Sequence, residues 1–121
     1  MDWSLIDQMY EKFNMPLREH VDLTHLSLDR YHFMLEEVEE FKDAACCGDE
    51  AEMLDALVDL QVFLMGSIKS LGYRDVFDAA FAEVMRANLA KEVGRKSTRP
   101  GQMHDLIKPK GWTPPNMEQF V

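Results

Sequence analysis

Apolar residues recur along the chain at helical spacing, and no stretch alternates convincingly between polar and apolar side chains. This pattern predicts a protein made of helices, without strands. The first predicted helix covers residues 2–13. Its inward-facing side chains are expected to be Trp3, Ile6, Met9, Tyr10 and Phe13.

Capping residues mark the second and third predicted helices. Ser27 has the properties of an N-cap and predicts a helix from Leu28 to Cys47, which Gly48 ends. Asp49 predicts the start of the third helix, because Glu52 completes a capping box with it. That helix is expected to end before Gly72, where a glycine commonly terminates a helix.

A fourth helix is predicted to open at Asp75 and to end near Gly94. From Arg95 the apolar periodicity disappears and Lys, Gly and Pro become more frequent. We therefore divide the chain into a helical domain over residues 1–94 and an extended C-terminal tail of that domain over residues 95–121. The predicted fold class is an all-α bundle of four to five helices.

Composition narrows the function classes. A chain of 121 residues with 46% hydrophobic residues fits one domain with a substantial core. A net charge of -9 argues against binding nucleic acid or an anionic membrane by electrostatic attraction. We expect a soluble cytoplasmic protein, since the sequence contains neither a long apolar run nor a signal-peptide pattern.

Two acidic patches interrupt the apolar pattern: Glu36-Glu37-Val38-Glu39-Glu40 and Asp55-Ala56-Leu57-Val58-Asp59. From Ala56 to Ile68 nearly every position is apolar, which predicts a helix buried all round. Burying carboxylates there costs on the order of several kcal/mol unless a positive group meets them. No Lys or Arg lies between Asp43 and Ile68, so the partner must be a distant basic group or a metal ion.

Helical spacing places the acids on common faces. Glu37 and Glu40 are separated by three positions, and Asp55 and Asp59 by four. The short connection at Gly48 predicts antiparallel neighbouring helices, so the two acidic faces can converge. Converging carboxylate oxygens select Mg²⁺ or Mn²⁺ over Zn²⁺. The alternatives are a solvated charged face for the first patch, and helix N-terminal charges or a buried salt bridge for the second.

Four segments resemble the all-α nucleoside triphosphate pyrophosphohydrolases, which include MazG, dimeric dUTPases, dCTP pyrophosphatases and phosphoribosyl-ATP pyrophosphohydrolase. The first is Glu36-Glu37-x-x-Glu40, and the second is MLDALVDLQVFLMGSIKSLGY with Asp59 as the closing aspartate. The segment FAEVMRANLAKE resembles the substrate helix of the family. The ending KPKGWTPPNMEQF resembles that of a MazG-like bacterial and phage branch.

The resemblance implies a MazG-like bundle that hydrolyses a nucleoside triphosphate to the monophosphate and pyrophosphate with Mg²⁺, for which Mn²⁺ can substitute. Glu36 and Glu37 are the catalytic candidates, with Glu36 orienting or deprotonating the attacking water. A homodimer or homotetramer is implied. The metal ligands would be Glu37, Glu40, Asp55 and Asp59; the substrate-binding residues would be Arg86, Asn88, Lys91, Lys108 and Trp112.

The second motif departs from the Glu-x-x-Asp pattern of the family. Three positions before Asp59 stands Ala56, while Asp55 lies one place earlier. Glu52-x-x-Asp55 is a literal match, set one turn early. The third metal ligand is therefore either Asp55 or Glu52. Two other functions stay open: a catalytically weak nucleotide-binding protein, which the missing glutamate favours, and a helical protein-interaction adaptor whose carboxylates meet Lys or Arg of another chain.

Overall fold

The computed structural model describes residues 1–94, 96, 99, 101 and 104–121. Helices dominate this part of the chain, which confirms the predicted all-α class with an extended C-terminal tail. Arg95, where the predicted tail begins, lies outside the described residues. The elements are α1 (Ser4–Phe13), α2 (Leu23–Cys47), α3 (Glu50–Ser70), α4 (Arg74–Leu89), β1 (Glu92–Gly94), β2 (Asp105–Ile107) and a short 3-10 helix (Glu118–Phe120).

The chain forms two compact units, Met1–Arg74 and Asp75–Val121. The first contains α1, α2 and α3. The second contains all of α4 after its first residue, both strands and the C-terminal segment. Over the described residues, no helix combines the length and apolar character needed to cross a membrane.

Helix α2 begins five residues earlier than its sequence predicts. The Asp22 side chain is the N-cap and accepts a hydrogen bond of 2.9 Å from the His25 backbone N–H. The Ser27 hydroxyl instead donates to the Leu23 carbonyl one turn back, as a serine inside a helix commonly does. The predicted start at Leu28 is therefore wrong, because the stronger acceptor lies upstream.

The α2–α3 connection is confirmed. Gly48 ends α2 with a φ of 68°, the left-handed conformation that glycine adopts at little cost. Asp49 then caps α3 by accepting a bond from the Glu52 N–H at 3.2 Å. This two-residue connection turns the chain back, so that α2 and α3 pack as an antiparallel hairpin.

The hydrophobic core of the first unit lies where α1 meets α3. Ile6, Tyr10 and Met65 are its buried members. The predicted inward face of α1 is only partly correct, since Phe13 is 62% exposed while Trp3 and Met9 are half-buried. The partly buried residues packed against this core are Trp3, Met15, Leu17 and Val62.

Helix α3 is not buried all round in this chain, so that prediction is wrong. Helix α3 buries Ala56 and the segment 65–68, which as four consecutive residues covers nearly a full turn. Its outer face carries an apolar stripe in which every member is at least 38% exposed. The members of this α3 stripe are Leu54, Leu57, Val58 and Leu64.

The second unit contains the strands that periodicity does not predict. Strands β1 and β2 pair antiparallel, with Glu92 opposite Ile107 and Gly94 opposite Asp105. Helix α4 ends at Leu89, so its predicted extension to Gly94 is also wrong. Three-residue strands are too short to display alternation, and each is stabilised by a partner distant in sequence.

Candidate carboxylate site

Glu37 is the buried carboxylate at the centre of the candidate site. It lies in the middle of α2, and only 8% of it is exposed. Its Oε2 atom is buried and finds no hydrogen-bond partner within the described part of the chain. An unpartnered buried carboxylate oxygen is costly, so this position points to a ligand that completes it.

Three further acids act on Glu37. Burial raises the pKa of its carboxyl, and the hydrogen bond that the protonated carboxyl can make with Glu40 raises it further. The charges of Glu40, Asp59 and Asp55 contribute in the same direction, and the pKa reaches about 7. The carboxylates of α2 and α3 therefore converge, as the helical spacing predicted.

The buried acid is Glu37, and not the aspartates that the sequence indicated. Asp55 is exposed and Asp59 is half-buried, so the expectation of two buried aspartates is wrong for Asp55. Glu40 and Glu36 are also exposed on α2. Glu37 is the acid that the hairpin encloses, with the others placed around it.

The converging acids have no cationic partner from the described residues. The ion pairs formed there involve Asp7, Asp29, Glu83 and Asp105, and neither Glu37 nor any of the three acids around it. The predicted alternative of a buried salt bridge therefore has no counterpart in these contacts. Within the described part of the chain, protonation or a bound cation is left to neutralise these acids.

The donor set fits a hard cation, although the side chains are not arranged to hold one as they stand. Among the residues described, no group of three or more His, Cys, Asp or Glu side chains is in place for a metal ion. Exposed carboxylates such as Glu40 and Asp55 are free to change rotamer, and oxygen ligands suit Mg²⁺ and Mn²⁺. The unpartnered Glu37 oxygen supplies an inward-pointing ligand for such an ion.

Glu52, the alternative third ligand, lies near the end of the hairpin and shares a cleft with Glu40. It borders an open cleft of about 420 Å³ near the Gly48 turn. It is also absent from the charges that raise the pKa of Glu37, whereas Asp55 is among them. The other residues lining the cleft are Glu40, Asp43, Ala44, Cys47 and Asp49.

The expected substrate residues lie in the second unit, and several of them meet around Trp112. The indole N–H donates to the Ala87 carbonyl at 2.6 Å, which attaches the tail to α4. The Nζ atoms of Lys91 and Lys108 lie 5.5 and 5.0 Å from the centroid of the Trp112 ring. Both distances permit cation–π attraction. Two ammonium groups and an aromatic ring are thus placed together.

Arg86 holds the tail rather than extending freely. Its guanidinium pairs with Glu83 at 2.7 Å and lies 3.2 Å from the Pro114 carbonyl. Arg86 lowers the pKa of the Glu83 carboxyl, which also accepts a bond from the Asn116 N–H. Asn88 is half-buried in the last turn of α4.

Arg30 is a buried polar residue that the sequence did not single out. It is 4% exposed, and its Nε donates to the Ser67 Oγ at 3.0 Å while Nη2 donates to the Phe63 carbonyl at 3.1 Å. Its guanidinium lies 5.4 and 5.7 Å from the centroids of Phe33 and Phe63, which stack on each other. A lone Arg in an amphipathic helix normally indicates a solvent-facing position, so no local signal reveals this role.

A sequence model described as PRA-PH, phosphoribosyl-ATP pyrophosphohydrolase, matches residues 4–88. The match includes the converging carboxylates, Arg86 and Asn88, and it ends before Lys91, Lys108 and Trp112. No curated protein matches the chain. Because the matched region is well over half of the sequence, the chain belongs to the phosphoribosyl-ATP pyrophosphohydrolase family of the MazG-like superfamily, which implies pyrophosphohydrolase activity on a nucleotide-like substrate.

Proposed function

We propose that the protein is a Mg²⁺-dependent nucleoside triphosphate pyrophosphohydrolase, which converts an NTP or a dNTP to the monophosphate and pyrophosphate. The observation that carries this proposal is the unpartnered, buried Oε2 of Glu37, enclosed among three other acids. A net charge of -9 would repel a free triphosphate, so a cation at this cluster reconciles the chain with its family.

The ligands proposed for the ion are Glu37, Glu40, Asp55 and Asp59. Asp55 is preferred to Glu52 because its charge acts on Glu37. Oxygen-only ligation favours Mg²⁺, and Mn²⁺ accepts the same ligands. When bound, the ion supplies positive charge to the phosphates and acidifies a water molecule.

The chain supplies the remaining roles. Glu36, exposed beside Glu37, would orient the attacking water and accept its proton. Lys91 and Lys108 would offset phosphate charge, and Asn88 would hydrogen-bond to sugar or phosphate. Trp112 would offer its ring to a base, while Arg86 would contribute positive charge beside the tail that it holds.

A second copy of the chain is the proposed cover for the α3 stripe. Leu54 and Val58 are 64% and 54% exposed, which is unusual for neighbouring large apolar side chains on one helix face. Burial of this stripe against its own symmetry mate would give a homodimer, or a homotetramer by a further interface. Sedimentation equilibrium should then return a multiple of the 14.0 kDa chain mass.

The decisive experiment is a substrate panel with products separated by chromatography. NTPs, dNTPs and phosphoribosyl-ATP are each incubated with Mg²⁺, with Mn²⁺ and with EDTA. We expect a monophosphate product and pyrophosphate from at least one compound, and no turnover in EDTA. Release of a diphosphate and orthophosphate would refute the assignment.

A nucleotide-binding protein without turnover is the second candidate. Ala56 stands where the family carries a glutamate, and this substitution favours weakened catalysis. Calorimetry with the same nucleotides distinguishes the two: heat of binding without products identifies a binding protein. A helical adaptor would show neither binding nor products, and neither Mg²⁺ nor Mn²⁺ would stabilise it.

A further inference from the structure

We infer that Arg30 is a positioning residue for the carboxylate cluster, because it fixes the register of α3 against α2. This inference rests on the proposed function, since the cluster is the proposed ion site. Arg30 and Glu37 lie on the same helix, about 10 Å apart along its axis. The Arg30 partner Phe63 lies one turn from Asp59 on the facing helix.

The two hydrogen bonds of Arg30 are directional and cross between helices. Nε and Nη2 belong to one rigid plane, and their acceptors, Ser67 Oγ and the Phe63 carbonyl, are held 2.7 Å apart on α3 because the Ser67 hydroxyl donates to that carbonyl. A planar donor that meets two such acceptors defines a single axial position. Stacked apolar contacts such as Phe33 on Phe63 tolerate sliding to a greater degree.

Gly66 excludes the neighbouring registers. A Cβ atom at Gly66 would lie 2.5 Å from Nη2 of Arg30, so the guanidinium occupies space that only glycine leaves open. A shift of α3 by one turn would bring Val62 or Ser70 to this level. Both residues carry a Cβ. Such a shift would also move Asp59 by about 5 Å relative to Glu37, beyond the reach of a shared ion.

The charge of Arg30 itself does not explain its presence. The ion pairs among the described residues do not include it, and burial lowers the pKa of its guanidinium. A buried cation with neutral partners costs stability, and a positive charge two turns from an ion site repels the ion. Fixing the position of α3 is the contribution that remains.

The test compares Mn²⁺ affinity with thermal stability. The dissociation constant of Mn²⁺ is measured from the electron paramagnetic resonance signal of the free ion, for the unmodified chain and for Arg30→Met. We expect binding about 10- to 100-fold weaker in the variant, as for other residues that orient ligands. The Tm should stay level or rise, since an unpaired buried charge is removed.

Tyr10→Phe is the matched control. Tyr10 donates from its hydroxyl to the Gly66 carbonyl and contacts the Ser70 hydroxyl, so it belongs to the same polar region but joins α1 to α3. This variant should lower the Tm and leave the Mn²⁺ affinity within about twofold of the unmodified chain, the residual coupling expected between separate contacts. A purely structural role of Arg30 predicts parallel losses instead.

The sign of the change separates geometry from charge. If Arg30 acted through its charge alone, Arg30→Met would bind Mn²⁺ more tightly, and Arg30→Lys would match the unmodified chain. Arg30→Lys keeps the charge but not the planar pair of donors, so we expect it to bind weakly. Unchanged or tighter binding by Arg30→Met, or full affinity in Arg30→Lys, would overturn the inference.

Ser67→Ala covers the case in which Arg30→Met fails to fold. It removes one acceptor of the pair and should weaken Mn²⁺ binding severalfold with native circular dichroism. Unchanged affinity in this folded variant would also overturn the inference. If the unmodified chain binds no Mn²⁺, the proposed function fails and the inference falls with it. If the unmodified chain binds and the variants do not differ, only the inference fails.

Discussion

Glu37 and Arg30 lie on the same face of α2, and both are more than nine-tenths buried, with exposures of 8% and 4%. Arg30 donates to neutral oxygens of α3, and two aromatic rings lie beside its guanidinium. Glu37 keeps a buried oxygen that no described residue contacts by a hydrogen bond, and its nearest charged neighbours are other acids. The same hairpin thus encloses one charged group whose hydrogen bonds are made by the protein and one that keeps an unpartnered oxygen.

The difference between these regions separates structure from function. A buried charge whose hydrogen bonds are made by the fold, as at Arg30, belongs to the packing of the helices. A buried charge left incomplete among like charges, as at Glu37, is a site that another species must complete. Burial alone does not distinguish them; the identity of the partners does.

Asp59→Asn should produce the largest effect. Activity should fall by about 100-fold or more, because a proposed ligand is lost. The metal-free Tm should remain level or rise, since one of the charges acting on Glu37 disappears. Enzyme assays and thermal denaturation in EDTA measure both. A loss of several kcal/mol by the metal-free variant would show that Asp59 belongs to a structural ion pair, and the comparison would break.

Gly66→Ala tests the packing around Arg30. The new Cβ would lie 2.5 Å from Arg30 Nη2, and overpacking of this kind costs about 1–3 kcal/mol. Thermal unfolding should therefore shift down by several degrees. In an Arg30→Met background the shift should be smaller, because the guanidinium is absent and the Tyr10 hydroxyl, 3.1 Å from the new Cβ, is the close contact that remains. An equal shift in both backgrounds would place the strain elsewhere.

Glu37→Gln tests the acidic cluster around Glu37 through the pH dependence of the Tm. The folded pKa of Glu37 is about 7, above its ordinary value of 4.5, so folding favours the protonated carboxyl. The stability that this gives is complete below about pH 4.5 and is lost as the pH rises through about 7. In EDTA the variant and the unmodified chain should have similar Tm values at pH 4, while at pH 8 the variant should be a few degrees higher. Identical pH profiles would contradict the prediction.

Arg86→Ala should have the smallest effect. Arg86 is 47% exposed, and solvent screens its surface ion pair with Glu83, so the pair contributes little to stability. The change should barely alter the Tm, yet it should speed hydrogen exchange at Asn116, whose N–H donates to the Glu83 carboxylate that Arg86 holds. A fall of several degrees in the Tm of Arg86→Ala would show that this surface pair contributes more than its exposure allows, and would contradict the prediction.

Local signals predicted local structure correctly. Asp49 and Gly48 act on backbone groups within a few residues of themselves, so the α2–α3 connection was readable from sequence. The same reasoning gave the wrong start for α2, because both Asp22 and Ser27 can cap a helix and the cap is Asp22. The strand pair escaped prediction because β1 depends on a partner beyond the next turn.

The acidic cluster was predictable and its details were not. Helical periodicity brought Glu37 and Asp59 to facing surfaces, and the charges of Asp59 and Asp55 do act on Glu37. Which acid is buried depends on how the helices pack, and periodicity carries no such information. The apolar character of α3 predicted burial, but the chain itself leaves Leu57 and its neighbours exposed. Arg30 escaped for the same reason as the strands: its partners lie more than thirty residues away.

The close fit of Arg30 against Gly66 also constrains how this sequence can change over generations. A side chain at Gly66 meets the guanidinium immediately, whereas a shorter residue at position 30 first removes the obstacle. A substitution of Arg30 can therefore be followed by one at Gly66, whereas a substitution of Gly66 that comes first is destabilising. Homologues in which position 66 has gained a side chain should already have lost the arginine.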